Sequence, residues 1–351
     1  MDQKDHERGF KLNPMQIFYN LPEKDKKRIF EQTAIKAGLP AYAIEKDWWV
    51  VQTLRIIFGL EVAEHLTFKG GTSLSKAWNL IERFSEDIDL VLDKSKLGIR
   101  QVDTKKEVKE LRRMSKKYIS NEFKTTLEDA FKKAGFSGLK LNVNNTNPED
   151  NDPIEIQIDY PQAIKYPGYF KPHILVEIGS RSQREPFSLK QISSLVGKHF
   201  ADKVFADKSI EINTVNPERT FLEKIFLIHE LFQGQISEIR TDRMSRHFYD
   251  IERMMDSEFA DKALSDQVLY NDIVNHRKLM FSYCYVDYSR HQPRHIKLIP
   301  PIEIQKDWKK DYETMSVSMI YGEKPKWETL IKRVFELQER INKLDWEIAL
   351  I

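Results

Sequence analysis

Apolar residues change their spacing along this chain, and the changes mark out its elements. Polar and apolar positions alternate over Leu66–Lys69 and again from Asp87 into Leu92, the period of a strand. Thr72–Glu82, between them, reads as a helix. Two helices are predicted earlier. One covers residues 22–37, with Pro22 as its first helical residue and Gly38 as its stop. The other runs from Ala41 to Gly59, with the Trp48-Trp49 pair in the core and Glu45-Lys46-Asp47 as a charged turn on the exposed face. Residues 1–19 read as a loose arm. Downstream, residues 104–134 are highly charged and helical. Leu139–Val143 and Ile154–Asp159 are predicted strands, the second with clean alternation (I-E-I-Q-I-D), joined by a turn-rich loop from Asn144 to Pro153. Ile174–Ile178 is a further strand. From Pro217 the period becomes helical, with Phe221, Ile225, Ile228 and Leu231 on one face. The last segment, Trp327 to Ile351, is amphipathic and reads as a closing helix docked on the rest.

This order predicts an α+β fold: a small mixed sheet with flanking helices, then a largely helical C-terminal half. The expected division is N-terminal helices at 1–60, a core at 61–210 and a helical domain at 211–351, the last boundary lying near residues 206–216. The chain has 351 residues, 40% hydrophobic and 31% charged, which supports a folded soluble protein over a disordered one. With 56 Lys and Arg against 54 Asp and Glu the formal charge is +2, so any nucleic-acid surface must be a local patch. The basic run from Lys105 to Lys133 has acidic neighbours and reads as an ordinary solvated helix, with phosphate contact as the alternative. A lone cysteine, Cys284, excludes an intramolecular disulfide. The first residues lack the apolar core of a signal peptide, and no apolar run reaches membrane-spanning length. A reducing cytoplasm is the expected compartment.

The chemistry concentrates between Phe68 and Leu92. Asp87 and Asp89 sit two apart on a strand and project from one face, while Ile88 and Leu90 point the other way. Two carboxylates this close repel unless a cation lies between them. A solvated strand face would show the same spacing, but the Gly70-Gly71 turn ahead of it permits close approach by a ligand. Thr72 or Ser73 then opens a helix, either as a simple cap or as a phosphate cradle. The lysines fall outside the order a P-loop requires, and no Cys or His cluster offers a zinc site.

Gly70-Gly71-Thr72-Ser73, followed after a helix by Asp87-Ile88-Asp89, resembles the signature of the DNA polymerase β-type nucleotidyltransferase superfamily. The similarity is closer to the AbiEii/AbiGii toxins of type IV toxin–antitoxin and abortive-infection systems. It rests on Glu45-Lys46-Asp47, on Gly70 to Lys76, and on Arg83 through Asp89. Glu177, Glu223-Lys224 and Arg246-His247-Phe248-Tyr249-Asp250 fill later places in the pattern. The resemblance spans roughly residues 40–255 and departs at His247, where the family often has an acid. It implies a nucleotidyltransferase-like sheet and transfer of a nucleoside monophosphate from an NTP, with Mg2+ or Mn2+, to an RNA acceptor such as the tRNA 3′ end. It also implies an antitoxin encoded nearby, with no stable complex assumed. On this basis Asp87, Asp89 and a third carboxylate would hold metal, Glu177 being the choice and Asp159 the competitor. Gly70, Gly71, Thr72, Ser73, Lys76, Arg83, Lys224, Tyr249 and Asp250 would line the nucleotide site, Lys224 as a phosphate-neutralising cation. The alternatives are a non-catalytic nucleotide- or RNA-binding protein and a transferase acting on a protein or small molecule.

Overall fold

Seven strands form one mixed sheet: β1 (Leu66–Lys69), β2 (Asp87–Leu92), β3 (Lys140–Val143), β4 (Ile154–Asp159), β5 (His173–Gly179), β6 (Phe187–Ile192) and β7 (Ile210–Val215). Their order across the sheet is β3-β4-β5-β2-β1-β7-β6. β2–β5 and β1–β7 pair parallel and the other neighbours antiparallel. The computed structural model describes residues 13–85, 87–144, 152–166 and 172–350. The first twelve residues of the expected arm and residues 145–151 of the turn-rich loop lie outside them.

Helices α1 (Pro14–Tyr19), α2 (Glu23–Ala37) and α3 (Ala41–Ile57) precede the sheet, and α4 (Gly70–Lys76) joins β1 to β2. α5 (Lys105–Lys117) continues through a π turn into α6 (Lys124–Lys133). α7 (Leu195–His199) links β6 to β7. Then come α8 (Pro217–Leu231), α9 (Ser245–Met254), α10 (Glu258–Ser265), α11 (Gln267–Met280), α12 (Gln305–Ser318) and α13 (Trp327–Asn342). The chain is thus α+β with a helical C-terminal half.

Several expectations are corrected. α1 stands where a loose arm was expected, and Pro22 caps α2 instead of opening it. α4 stops at Lys76, not Glu82, because the chain turns through Asn79 (φ 53°) and extends to pair with a distant segment. Phe84 N–H donates to Met319 O (2.7 Å), and Tyr321 N–H to Glu82 O (3.0 Å). β6 and β7 were not anticipated, and β7 occupies the stretch expected to be an interdomain boundary. α13 ends at Asn342, after which Gln292 and Asn271 side chains accept the N–H groups of Ile348 and Ala349.

Glu45, Lys46 and Asp47 form no exposed turn: all three are buried on α3. Glu45 accepts from the N–H groups of Ala163 (2.7 Å) and Ile164 (3.2 Å). Asp47 accepts from Leu195 N–H (2.8 Å) and pairs with Lys76. Buried carboxylates need such partners, so the motif fastens α3 to α4, to α7 and to the loop after β4. Two main cores result. One joins the sheet to α1–α3 and α6 through Trp48, Phe68, Ile88 and Val176. The other lies among the C-terminal helices, and Leu74, Ile81 and Phe84 reach into it from the β1–β2 connection. The cleft described next lies where the sheet meets those helices.

Candidate active site

The sheet register builds an acidic row. Asp89 pairs with Glu177 on one side and with Lys69 on the other, and Glu177 pairs with Glu155. Directly paired residues share a face, so Glu155, Glu177, Asp89 and Lys69 lie in line across four strands. Asp87, two residues before Asp89, projects from the same face. Asp159 does not belong to this row: it pairs with His173, four residues before Glu177, about 13 Å along the strand. Its carboxylate accepts from Gln157 Nε2 (2.8 Å). The competitor for the third carboxylate is therefore remote from Asp87 and Asp89.

The glycines let the side chains reach their places. Gly70 has φ 79°, and a Cβ there would stand 2.0 Å from Asp89 Oδ2. A Cβ on Gly71 would stand 2.5 Å from an Arg83 guanidinium nitrogen. Thr72 donates to the carbonyl of Asp87 (2.5 Å), and Ser73 to that of Gly70 (2.9 Å). Both residues are buried and their hydroxyls brace the turn from behind.

Beside the acidic row stands a set of basic side chains. Arg83 grips Asp250 with two bonds, from Nε (2.6 Å) and Nη2 (2.8 Å). Lys224 Nζ lies 2.9 Å from Asp250 Oδ2 and 3.4 Å from Nδ1 of His247. Burial works against the Asp250 carboxylate, yet Arg83 and Lys224 hold it well below the usual carboxylate range. Burial, with Lys224 and Arg246 beside it, drives His247 well below its ordinary value, so its ring is neutral and Nδ1 can accept from Lys224. Arg246 lies 4.0 Å from Asp87 Oδ2. Tyr249 is wholly buried in the C-terminal core, and Lys76 is committed to Asp47; neither lines the cleft.

The cleft holds about 300 Å³ and is lined by Gly70, Gly71, Asp87, Asp89 and Glu177 together with the basic side chains Arg83, Lys224 and Arg246. Burial pushes the Glu177 carboxyl up to about 8, with Asp89, Asp87 and Glu155 adding to the rise. Among the described residues no three Asp, Glu, His or Cys side chains already converge at metal-ligating distance. Oxygen donors alone, crowded against a carboxyl that resists ionising, suit a hard divalent cation such as Mg2+ or Mn2+. With Arg83, Lys224 and Arg246 in the same lining, the cleft can neutralise a polyphosphate.

Sequence reasoning missed Glu155 as a member of the acidic row, and Arg246, Asp152, Arg181 and the aromatic pair Phe281 and Tyr283 as cleft residues. The alternation I-E-I-Q-I-D marked the polar face carrying Glu155, but only the register aligns it with Glu177. No local signal joins residues 181 and 281 to a motif at 70–89.

A family model described as "Nucleotidyl transferase AbiEii toxin, Type IV TA system" matches residues 55–333. Among solved structures, "Crystal structure of JHP933 from Helicobacter pylori" is similar at a TM-score of 0.37, with 14% identity over 83% of this chain and 90% of that one. No curated protein matches the chain. Among the described residues no helix is long and apolar enough to cross a membrane.

Proposed function

The chain belongs to the AbiEii nucleotidyltransferase toxin family of type IV toxin–antitoxin systems, and from that premise we propose that it transfers a nucleoside monophosphate from an NTP to the 3′ end of an RNA, with tRNA as the acceptor. The observation that carries the reading is the set Asp87, Asp89 and Glu177 on one sheet face, lining one cleft together with Arg83, Lys224 and Arg246. In the reaction a ribose hydroxyl oxygen bonds to the α-phosphorus, the α–β anhydride bond breaks, pyrophosphate leaves and the hydroxyl proton is lost. Asp87, Asp89 and Glu177 would hold Mg2+ or Mn2+, which neutralises phosphate charge and lowers the pKa of the attacking hydroxyl. Lys224 and Arg246 face the negative charge that builds on the phosphates. Asp250 holds Lys224 and Arg83 in place, so both cations are oriented before substrate arrives. Gly70 and Gly71 leave room for a phosphate oxygen to approach the backbone. In a type IV system such transfer slows growth, and a neighbouring antitoxin gene counters it without needing a stable complex.

The test pairs chemistry with growth. Wild type incubated with total tRNA, Mg2+ and each α-labelled NTP should label RNA with at least one nucleotide. Asp89→Ala should label none and relieve growth arrest on induction. Label entering protein or a small molecule would redirect the acceptor. Equal toxicity of the two forms, with no labelling by either, would favour a binding role over catalysis.

A further inference from the structure

α11 ends at Met280, and Ser282, at φ 49°, turns the chain out of the helix. Over the next residues three aromatic rings follow at alternate positions. Phe281 and Tyr283 lie 5.9 Å apart between ring centroids, and Tyr283 stacks on Tyr285 at 5.5 Å with a 19° tilt. The rings become more open along the row: Phe281 is half-buried, Tyr283 is 40% exposed and Tyr285 47%. The inner two line the cleft. Two guanidinium groups, of Arg181 and Arg277, each lie 4.9 Å from the Phe281 ring centroid. Glu230 binds Arg277 and fixes it there.

The place of this row within the cleft follows from the strands. β5 runs parallel to β2, and Gly179 pairs with Val91, two residues past Asp89. Arg181 follows Gly179 and so lies beyond the acidic row, away from Asp87, Gly71 and Arg83. The aromatic row therefore begins past the carboxylates and leads out of the cleft. A single nucleotide needs one stacking surface. Arg277 is paired with Glu230 and Arg181 with Asp152 (3.4 Å), so the guanidinium groups hold the foot of the row in place, and rings that continue outward from the reacting centre suit successive bases of one strand.

We propose that Tyr283 and Tyr285 stack the terminal bases of a single-stranded RNA acceptor, while Arg181 meets its backbone and leads the 3′ end toward Asp89. This rests on the nucleic-acid acceptor reading given above. Stacking tolerates any base, so the platform supports strand-end recognition with little sequence preference.

The test uses the full-length chain with a short fluorescein-labelled single-stranded RNA ending in a free 3′ hydroxyl. Binding is followed by anisotropy, and binding of each NTP with Mg2+ by calorimetry. Tyr283→Ala and Tyr285→Ala should each weaken RNA binding by about tenfold or more. Tyr283→Phe and Tyr285→Phe should bind RNA as wild type does, because the ring remains. NTP binding should stay unchanged in the two Tyr285 variants, whose ring lies outside the cleft lining, and circular dichroism should show all four folded. RNA affinity unaffected by both alanine variants would overturn the proposal. So would a parallel loss of NTP affinity in Tyr285→Ala, which would make the row a seat for the donor base. If wild type labels RNA while the alanine variants bind it fully, only the platform is wrong. A wild type that binds NTP but no RNA would sink the acceptor reading itself.

Discussion

Asp89 and Gly70 are a matched pair. The carboxylate leans over a backbone position that tolerates no side chain, since the glycine sits at φ 79° with Oδ2 where a Cβ would be. Gly70→Ala should cost about 1–2 kcal/mol for the left-handed backbone alone, and it must also push Asp89 out of the acidic row. The expected result is a lower melting temperature with transfer lost, even at saturating Mg2+. Wild-type labelling by Gly70→Ala would show that Asp89 need not occupy this position. Among the basic residues of the cleft the same logic acts through charge. Asp250 is fully buried, and what holds it ionised is the pair of cations it orients. Lys224 is accordingly held between a carboxylate and a neutral imidazole; burial lowers its pKa, and Asp250 works against that fall.

Among the elements, α3 departs most from an ordinary amphipathic helix, because it buries charges as well as two tryptophans. Asp47 is where it meets α4 and α7. Removing one member of a buried ion pair leaves its partner uncompensated, though the Lys76 ammonium retains some access to solvent. Asp47→Asn and Lys76→Met should therefore each lower stability by about 1–3 kcal/mol, read as a lower urea midpoint. NTP affinity by calorimetry should hardly move in Lys76→Met. A marked loss of NTP affinity would instead return Lys76 to the nucleotide site. α4 itself is only seven residues long, because the chain after it is drawn into pairing with residues 319–321. That pairing carries Arg83 to Asp250 and ties the turn of the acidic strand to the C-terminal core.

The cleft lies between two hydrophobic cores, and buried titratable groups within them make the stability of the fold pH-dependent. Burial opposes ionisation of Glu230, but bonds from Arg277 and His291 bring its carboxyl down to about 2 from an ordinary 4.5. A depressed carboxylate stabilises the fold above its unfolded value and loses that contribution as pH falls through the folded one. Glu230 should thus contribute about 3 kcal/mol near neutrality that disappears between about pH 4.5 and 2. Glu45 has the opposite sign: burial, against its two backbone bonds, raises it to about 7. Its contribution is full below about 4.5 and fades as pH rises toward 7. The stability gap between wild type and Glu230→Gln should therefore shrink as pH drops from about 5 to 2. Denaturant midpoints across that range check this, and a constant gap would remove Glu230 from the acid response.

Asp87 and Asp89, their alternation, the glycine turn before them and the helical period from Pro217 were legible in the sequence, because backbone geometry dictates those patterns over a few residues. So were the strands at 66–69, 87–92 and 154–159, whose ends match the structure residue for residue. The expectation that Glu45-Lys46-Asp47 was an exposed turn failed because helical period cannot report a carboxylate's partner when that partner, Ala163 or Leu195, lies more than a hundred residues away. α4 was overextended for a similar reason: its local pattern continued, and a distant strand-like segment outcompeted it. Only the tertiary structure aligned Glu155 and Glu177 with Asp89 and set Asp159 apart. All four were visible acids on predicted strands, but which residues stand side by side depends on register between strands far apart in the chain, and that is decided by the packing of the whole sheet.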